Sequence, residues 1–187
     1  MKAPCAESSR EVYCIGESTC KYRAGVYFSE GYKSKGKMWV SALFMKNPNH
    51  LKGSRMFALK IKTSRRTELQ DVTEQVRAVV GESNCQNGVC YLYVPHTTAG
   101  VLINEGYDPA VAREIEAAFD RLVPRVPDSK HDEGNSDSHI KTALTSSSQA
   151  LWIQDGKLLF GRWQVIFFAE FDGPRTRELR IKIVSDA

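Results

Sequence analysis

Residues 150–184 read ALWIQDGKLLFGRWQVIFFAEFDGPRTRELRIKIV, and the reading of this stretch decides the fold. Four runs rich in β-branched and aromatic residues, ALWI, LLF, WQVIFFAEF and RELRIKIV, are separated by Asp155-Gly156, Gly161 and Asp172-Gly173-Pro174, residues that turns favour. Such close spacing implies antiparallel meanders. In WQVIFFAEF both alternating sets are apolar, Val165, Phe167 and Phe171 against Ile166 and Phe168, which predicts a strand buried on two faces. Gln164 and Glu170 fall on the second set. A glutamate buried there must be paired, protonated or bound to something.

Working outward, Asp108-Pro109 offers an N-cap and a first-turn proline, and Val111, Ile115, Phe119 and Leu122 then mark one helical face. Asp71-Val-Thr-Glu74 has the spacing of a capping box before Val72, Val76, Val79 and Val80, with an end near Gly81. VCYLYV at 89–94 reads as a strand after the Asn87-Gly88 turn. A short helix capped by Ser136 or Asp137 should carry His139, Ile140 and Leu144. The sum is an α+β fold, mostly antiparallel sheet with two main helices and one short helix, in a single compact domain.

The organised text starts at Met56, where MFALKIKTS alternates as a strand. Residues 1–55 show no sustained period and hold three of the five cysteines, so they read as a poorly ordered extension, either a dispensable tail or a vector or gene-start artefact; the alternative is an extra strand from Met38 to Phe44. They also hold 10 Lys or Arg against 4 Glu, a net +6, whereas residues 56–187 hold 16 against 18, a net −2. The main domain therefore lacks the electrostatic footprint of a nucleic-acid binder. Apolar runs such as WVSALFM fall far short of the roughly 20 residues of a membrane span, and the opening residues lack the apolar core of a secretory signal. Five cysteines without scaffold spacing fit free thiols and a cytoplasmic address, and Cys85 and Cys90 read as structural or incidental thiols.

Chemistry concentrates in a few places. His96, His131 and His139 sit in polar or small-residue settings, and three imidazoles with an open position suit a catalytic metal ion, although their spacing matches no standard ligand pattern. The turn His96-Thr97-Thr98-Ala99-Gly100 could offer hydroxyls and backbone N–H groups to a phosphate, or its threonines could satisfy their own backbone. Arg175 could fork onto an anion, and Arg177 reads as a surface ion-pair residue. Glu105 is a candidate general acid or base, against a default of a solvated carboxylate.

Three ordered strings, HTTAGVLINEGYDP, HDEGNSDSHI and GRWQVIFFAEFDGPRTR, resemble the YjbQ-like family of secondary thiamine-phosphate synthases over Met56–Ala187. The resemblance implies a compact α+β chain assembled as a homotrimer, with a metal-associated polar site. It places metal ligands at His96, His131 and His139, catalytic carboxylates at Glu105, Asp132 and Glu170, and substrate contacts at Thr97, Thr98, Asn104, Asn135, Gln164 and Arg175. Asp172 joins the polar set. Zinc suits three histidines, and magnesium suits a diphosphate substrate. The implied reaction joins a hydroxymethylpyrimidine diphosphate to a thiazole phosphate; metal-assisted hydrolysis of a small phosphorylated or ring substrate, with Glu105 or Asp132 as base, and non-catalytic metal or ligand binding are the alternatives. Thr145 departs from the glycine that members commonly carry after the short helix.

Overall fold

The computed structural model describes residues 54–125 and 130–186, together with the backbone of two short strands, β1 (Val26–Phe28) and β2 (Ala42–Met45). The rest of the 1–55 stretch lies outside the described residues. Beyond it run β3 (Ser54–Lys62), β4 (Glu68–Asp71), α1 (Thr73–Ser83), β5 (Gly88–Tyr93), β6 (Ala99–Glu105), α2 (Pro109–Leu122), α3 (Ser136–Leu144), β7 (Ser148–Gln154), β8 (Lys157–Leu158), β9 (Gln164–Glu170) and β10 (Thr176–Ser185). Strand β3 begins two residues before Met56, and β2 pairs with it antiparallel, Phe44 opposite Phe57.

The architecture is α+β, with all named strand pairs antiparallel in a seven-stranded sheet, β1-β2-β3-β10-β5-β7-β8, and a three-stranded sheet, β4-β9-β6. The stretch 150–184 is therefore not one meander. Strand β9 leaves the large sheet to become the centre of the small one, and β10 returns to lie between β3 and β5. Its double-sided apolar pattern is what a strand between two packed layers requires. On one side Ile166 and Phe168 join α1 valines Val76, Val79 and Val80 and the inner face of the large sheet. On the other, Phe167, Ala169 and Phe171 pack with Leu69 against Ala112, Ile115 and Phe119 of α2.

The helix ends follow the local signals only in part. Asp108 caps α2 by accepting a hydrogen bond from Ala110 N at 2.8 Å, with Pro109 in the first turn as the sequence predicts. Leu122, however, is 74% exposed. Helix α1 runs two residues past Gly81 and closes on Asn84 in the left-handed region at φ 55°, and Val72 occupies the cap position. Asp71 instead accepts from Thr73 N at 2.9 Å. Helix α3 departs furthest: Ile140 and Leu144 are exposed, and its buried residues are Asp137, Ser138 and Lys141. Neither Ser136 nor Asp137 caps it; Asn135 holds that position. Among the described residues no helix is long and apolar enough to cross a membrane.

Candidate functional site

The polar residues gather where β9 ends. Glu170 is fully buried (0% exposed), and its carboxylate accepts from Arg177 Nε at 2.7 Å and Nη2 at 2.6 Å. Thr63 Oγ1 (3.2 Å) and the backbone N–H groups of Phe171 (3.1 Å) and Asp172 (2.8 Å) donate to the same carboxylate. Every need of a buried charge is met, by the forked geometry that suits an arginine–carboxylate pair. This overturns the surface reading of Arg177, which is buried, and gives Glu170 the work of bracing β10 against β9. Thr98 is drawn into the same knot, accepting from Arg177 Nη2 at 2.9 Å. Of the HTTAG turn only Thr97 remains exposed, since Ala99 and Gly100 already lie buried in β6.

Two residues on, Asp172 ties the strand end to three other elements. Its Oδ2 accepts from Arg175 Nη2 (2.6 Å) and Asn135 Nδ2 (3.0 Å), and its Oδ1 from Arg66 Nη1 (3.2 Å). Burial pushes the Asp172 carboxyl up, but the hydrogen bonds from Asn135 and Arg175 and the charges of Arg175 and Arg66 outweigh it, so it sits below the usual carboxylate range. Arg66 continues the chain to Asp137 Oδ1 at 3.0 Å, and Lys141 Nζ bridges Asp137 (3.4 Å) and Asp120 of α2 (2.6 Å). Ser138 Oγ donates to Phe171 O at 2.6 Å. Helix α3 is thus docked by a charged lattice, not by an apolar stripe. Asp137, read from sequence as a cap, is part of that lattice.

The histidines divide. His131 lies in the turn closed by Gly134 N donating to His131 O at 2.9 Å, and His139 in the first turn of α3; their rings meet edge to face with centroids 5.0 Å apart. Between them in sequence, Asn135 is only 4% exposed, donates also to Glu133 (3.1 Å), and leaves its Oδ1 buried without a hydrogen-bond partner. Asp132 is exposed on the same turn. His96 is placed elsewhere, its Nε2 accepting from the backbone N–H of Glu178 on β10 at 2.9 Å. A neutral imidazole has one lone pair, and in this arrangement that of Nε2 is engaged by the Glu178 N–H, with the proton on Nδ1. Burial, and then the positive charge of Arg177, hold the His96 pKa below the ordinary imidazole value. Among the described residues no three His, Cys, Asp or Glu side chains converge as a metal group.

The remaining sequence candidates stand at the other end of the small sheet. Register pairs Ala99 with Glu170 at one end of β9 and Glu105 with Gln164 at the other, six residues away and so about 20 Å along the strand. Gln164 is exposed, not buried with Glu170, and its Oε1 accepts from Gly161 N at 2.8 Å to close its own turn. Asn104 Oδ1 accepts from Glu105 N at 2.8 Å. Neither reaches the His131–His139 pair. The residues that sequence reasoning missed are Thr63, Arg66, Ser138 and Lys141; SRRTE at 64–68 carried no periodic signal, and its partners lie far off in sequence.

Cys85 and Cys90 are buried and unpaired, as expected, and burial, followed by the influence of Cys85, pushes the Cys90 thiol up to about 12. An ionised thiol is what nucleophilic chemistry needs, and Cys90 does not supply one. Thr145, the departure noted in the sequence, lies against Gly100, where a Cβ would come within 2.5 Å of Thr145 Oγ1. The glycine in β6 makes the room that the threonine fills.

Two antiparallel sheets, a helix docked by charges, and a polar cluster at the end of the central strand define a small α+β domain. The chain belongs to the UPF0047 protein YjbQ-like family, whose model matches residues 57–186. It is 49% identical over 131 residues to the UPF0047 protein MJ1081 of Methanocaldococcus jannaschii, covering 70% of this chain and 95% of that one. To the UPF0047 protein YugU of Bacillus subtilis it is 42% identical over 67% of this chain and 96% of that one. A solved structure of the family from Clostridium acetobutylicum superposes with a TM-score of 0.66 at 46% identity, over 68% of this chain and 98% of that one.

Proposed function

We propose that this protein is a thiamine-phosphate-synthase-like transferase that joins a hydroxymethylpyrimidine diphosphate to a thiazole phosphate and releases diphosphate. The observation that carries the reading is the His131–His139 contact at 5.0 Å beside an Asn135–Asp172–Arg175 chain of hydrogen bonds. In the reaction the thiazole nitrogen forms a bond to the pyrimidine methylene carbon while the carbon–oxygen bond to diphosphate breaks, the electron pair leaving with the diphosphate. What the protein must supply is charge at the leaving group and orientation at the nitrogen. Arg175 is suited to supply the charge, because Asp172 holds its Nε and Nη2, which pins the guanidinium and leaves Nη1 for a phosphate oxygen. The buried Asn135 Oδ1, lacking a partner, suits a donor on the substrate.

His131 and His139 would hold a divalent ion, zinc by donor type or magnesium shared with the diphosphate, and His96 stands outside that set because its lone pair is used. Such an ion, when bound, neutralises charge on the leaving group. Glu170 and Thr98 serve as positioning residues, since their polar atoms are committed to Arg177. A cytoplasmic address is supported by the unpaired Cys85 and Cys90, and a homotrimer by exposed Tyr91, Tyr93 and Trp152 on the outer face of the large sheet.

The test is growth of a thiamine-phosphate-synthase-deficient strain carrying the wild type, His139→Ala or Arg175→Ala, alongside metal analysis of the purified protein. Rescue by the wild type and loss in both variants is expected. Equal rescue by His139→Ala removes the histidines from the mechanism. Bound metal without any rescue sinks the transferase reading and favours hydrolysis with Asp132 as base.

A further inference from the structure

At the other end of β9 from Glu170, α1, the β7–β8 hairpin and the loop into β9 line a wide-open groove of about 570 Å³. Its lining mixes apolar and cationic side chains. Exposed Leu159 and half-buried Phe160 give it apolar surface, whereas Leu158 is packed into the core. The same lining carries Arg77, Lys157 and Arg162 against a single acid, Asp155. Arg77 is partly spent, lying 5.5 Å over the Phe160 ring and paired with Glu74 at 2.8 Å. Lys157 and Arg162 are exposed, and among the described residues neither has an ion-pair partner.

The groove is also held in shape. The hairpin turns on Asp155 and Gly156, both in the left-handed region at φ 51° and 73°, the conformations a tight two-residue hairpin needs. Gly156 N donates to Gln86 O at 2.9 Å, and Gln164 Oε1 fixes Gly161 at 2.8 Å. Two uncommitted cations beside an apolar wall suit a ligand with an anionic end and a flat apolar body. Arginine forks onto phosphate oxygens and lysine acts on them as a point charge.

We propose that this groove binds an aromatic phosphate of the nucleoside-monophosphate class, with its phosphate on Lys157 and Arg162 and its ring along Leu159 and Phe160. The site is independent of the transferase reading.

The experiment is titration of the full-length protein, followed by backbone amide chemical shifts, with adenosine monophosphate, adenosine and inorganic phosphate as probes. Saturable shifts at residues 157–162 are expected with adenosine monophosphate, and binding of the other two about tenfold weaker. The double variant Lys157→Glu/Arg162→Glu, and separately Lys157→Gln/Arg162→Gln, should weaken adenosine monophosphate about tenfold or more with the amide spectrum elsewhere unchanged. Phe160→Leu keeps the apolar wall but not the ring, and should reduce the preference for adenosine monophosphate over inorganic phosphate. His139→Ala should leave this binding intact. Absence of shifts at 157–162, affinity unchanged in both double variants, or loss of binding in His139→Ala each overturns the proposal.

Discussion

At residue scale the decisive pair is Glu170 and Arg177. Removing one partner from a buried, forked ion pair leaves the other charge uncompensated, which costs about 3–5 kcal/mol. Arg177→Met should therefore lower the stability measured by denaturant unfolding by that amount. Replacing both partners, as Glu170→Leu with Arg177→Met, should recover a substantial part of it, and a double variant no more stable than the single one would contradict the pairing. His96 gives a prediction in pH. Its folded pKa lies below the unfolded value of about 6.5. As pH falls through that range the unfolded chain takes up the proton first, so stability declines on acidification and is fully present above it. Protonation would also set Nε2–H against the Glu178 N–H that it now accepts from. His96→Gln, which can accept that bond without titrating, should flatten the melting temperature between pH 5 and 7. Gly173 is a third case. A Cβ there would stand 2.2 Å from Arg65 O and 2.9 Å from Glu170 Cγ, so Gly173→Ala must displace backbone and should destabilise by about 1–3 kcal/mol in the same unfolding assay.

At the scale of elements, α2 and α3 show two ways to dock a helix. Helix α2 uses Ala112, Ile115 and Phe119, with Phe119 edge-on to Phe171 at 5.3 Å between ring centroids. That face was legible, because apolar spacing is recorded in the element itself. The Asp108-Pro109 start was legible for the same reason, as was the double-sided burial of β9. Helix α3 was not, since its docking depends on Arg66, about seventy residues away, and on Asp120 of α2. No local pattern records a partner at that distance, so Asp137 or Ser136 read as the cap, and the spacing of Ile140 and Leu144 recorded the helix but not which side of it is buried. The histidines follow the same rule: His131 and His139 share one short segment and lie together, whereas the place of His96 is set by the backbone of β10. The lattice predicts how α3 comes loose. With Asp137→Ala, Arg66 loses one of its two carboxylates and the buried Lys141 keeps only the exposed Asp120. Amides of α3 should then exchange with solvent faster, while those of β9 and β10 keep their protection. Equal acceleration in both would mean that the lattice holds the whole domain.

At the scale of the molecule, the large sheet covers its inner face with α1 and the small sheet, and the described residues leave much of its outer face open. Register places Arg180 beside Tyr93 and Lys182 beside Tyr91 across β10 and β5, and Val89 beside Trp152 across β5 and β7. Trp152 is 67% exposed, and Tyr91 and Tyr93 are about half exposed, so three large rings face outward from adjoining strands. Apolar rings gathered on one face are more than the scattered hydrophobics of an ordinary surface, and aromatic residues are the ones that anchor subunit contacts. The sequence recorded the alternation that turns these rings outward, but not that β5 and β7 would be neighbours. If this face closes the proposed trimer, two carboxylates placed among the rings must open it, because burying each costs several kcal/mol and only position 91 has a cation, Lys182, opposite it. Tyr91→Glu with Trp152→Glu should shift the mass measured by light scattering from three chains to one. The inner face remains packed, so the monomer should keep its far-ultraviolet circular dichroism. A trimer that survives both charges would place the subunit contacts on another surface of the domain.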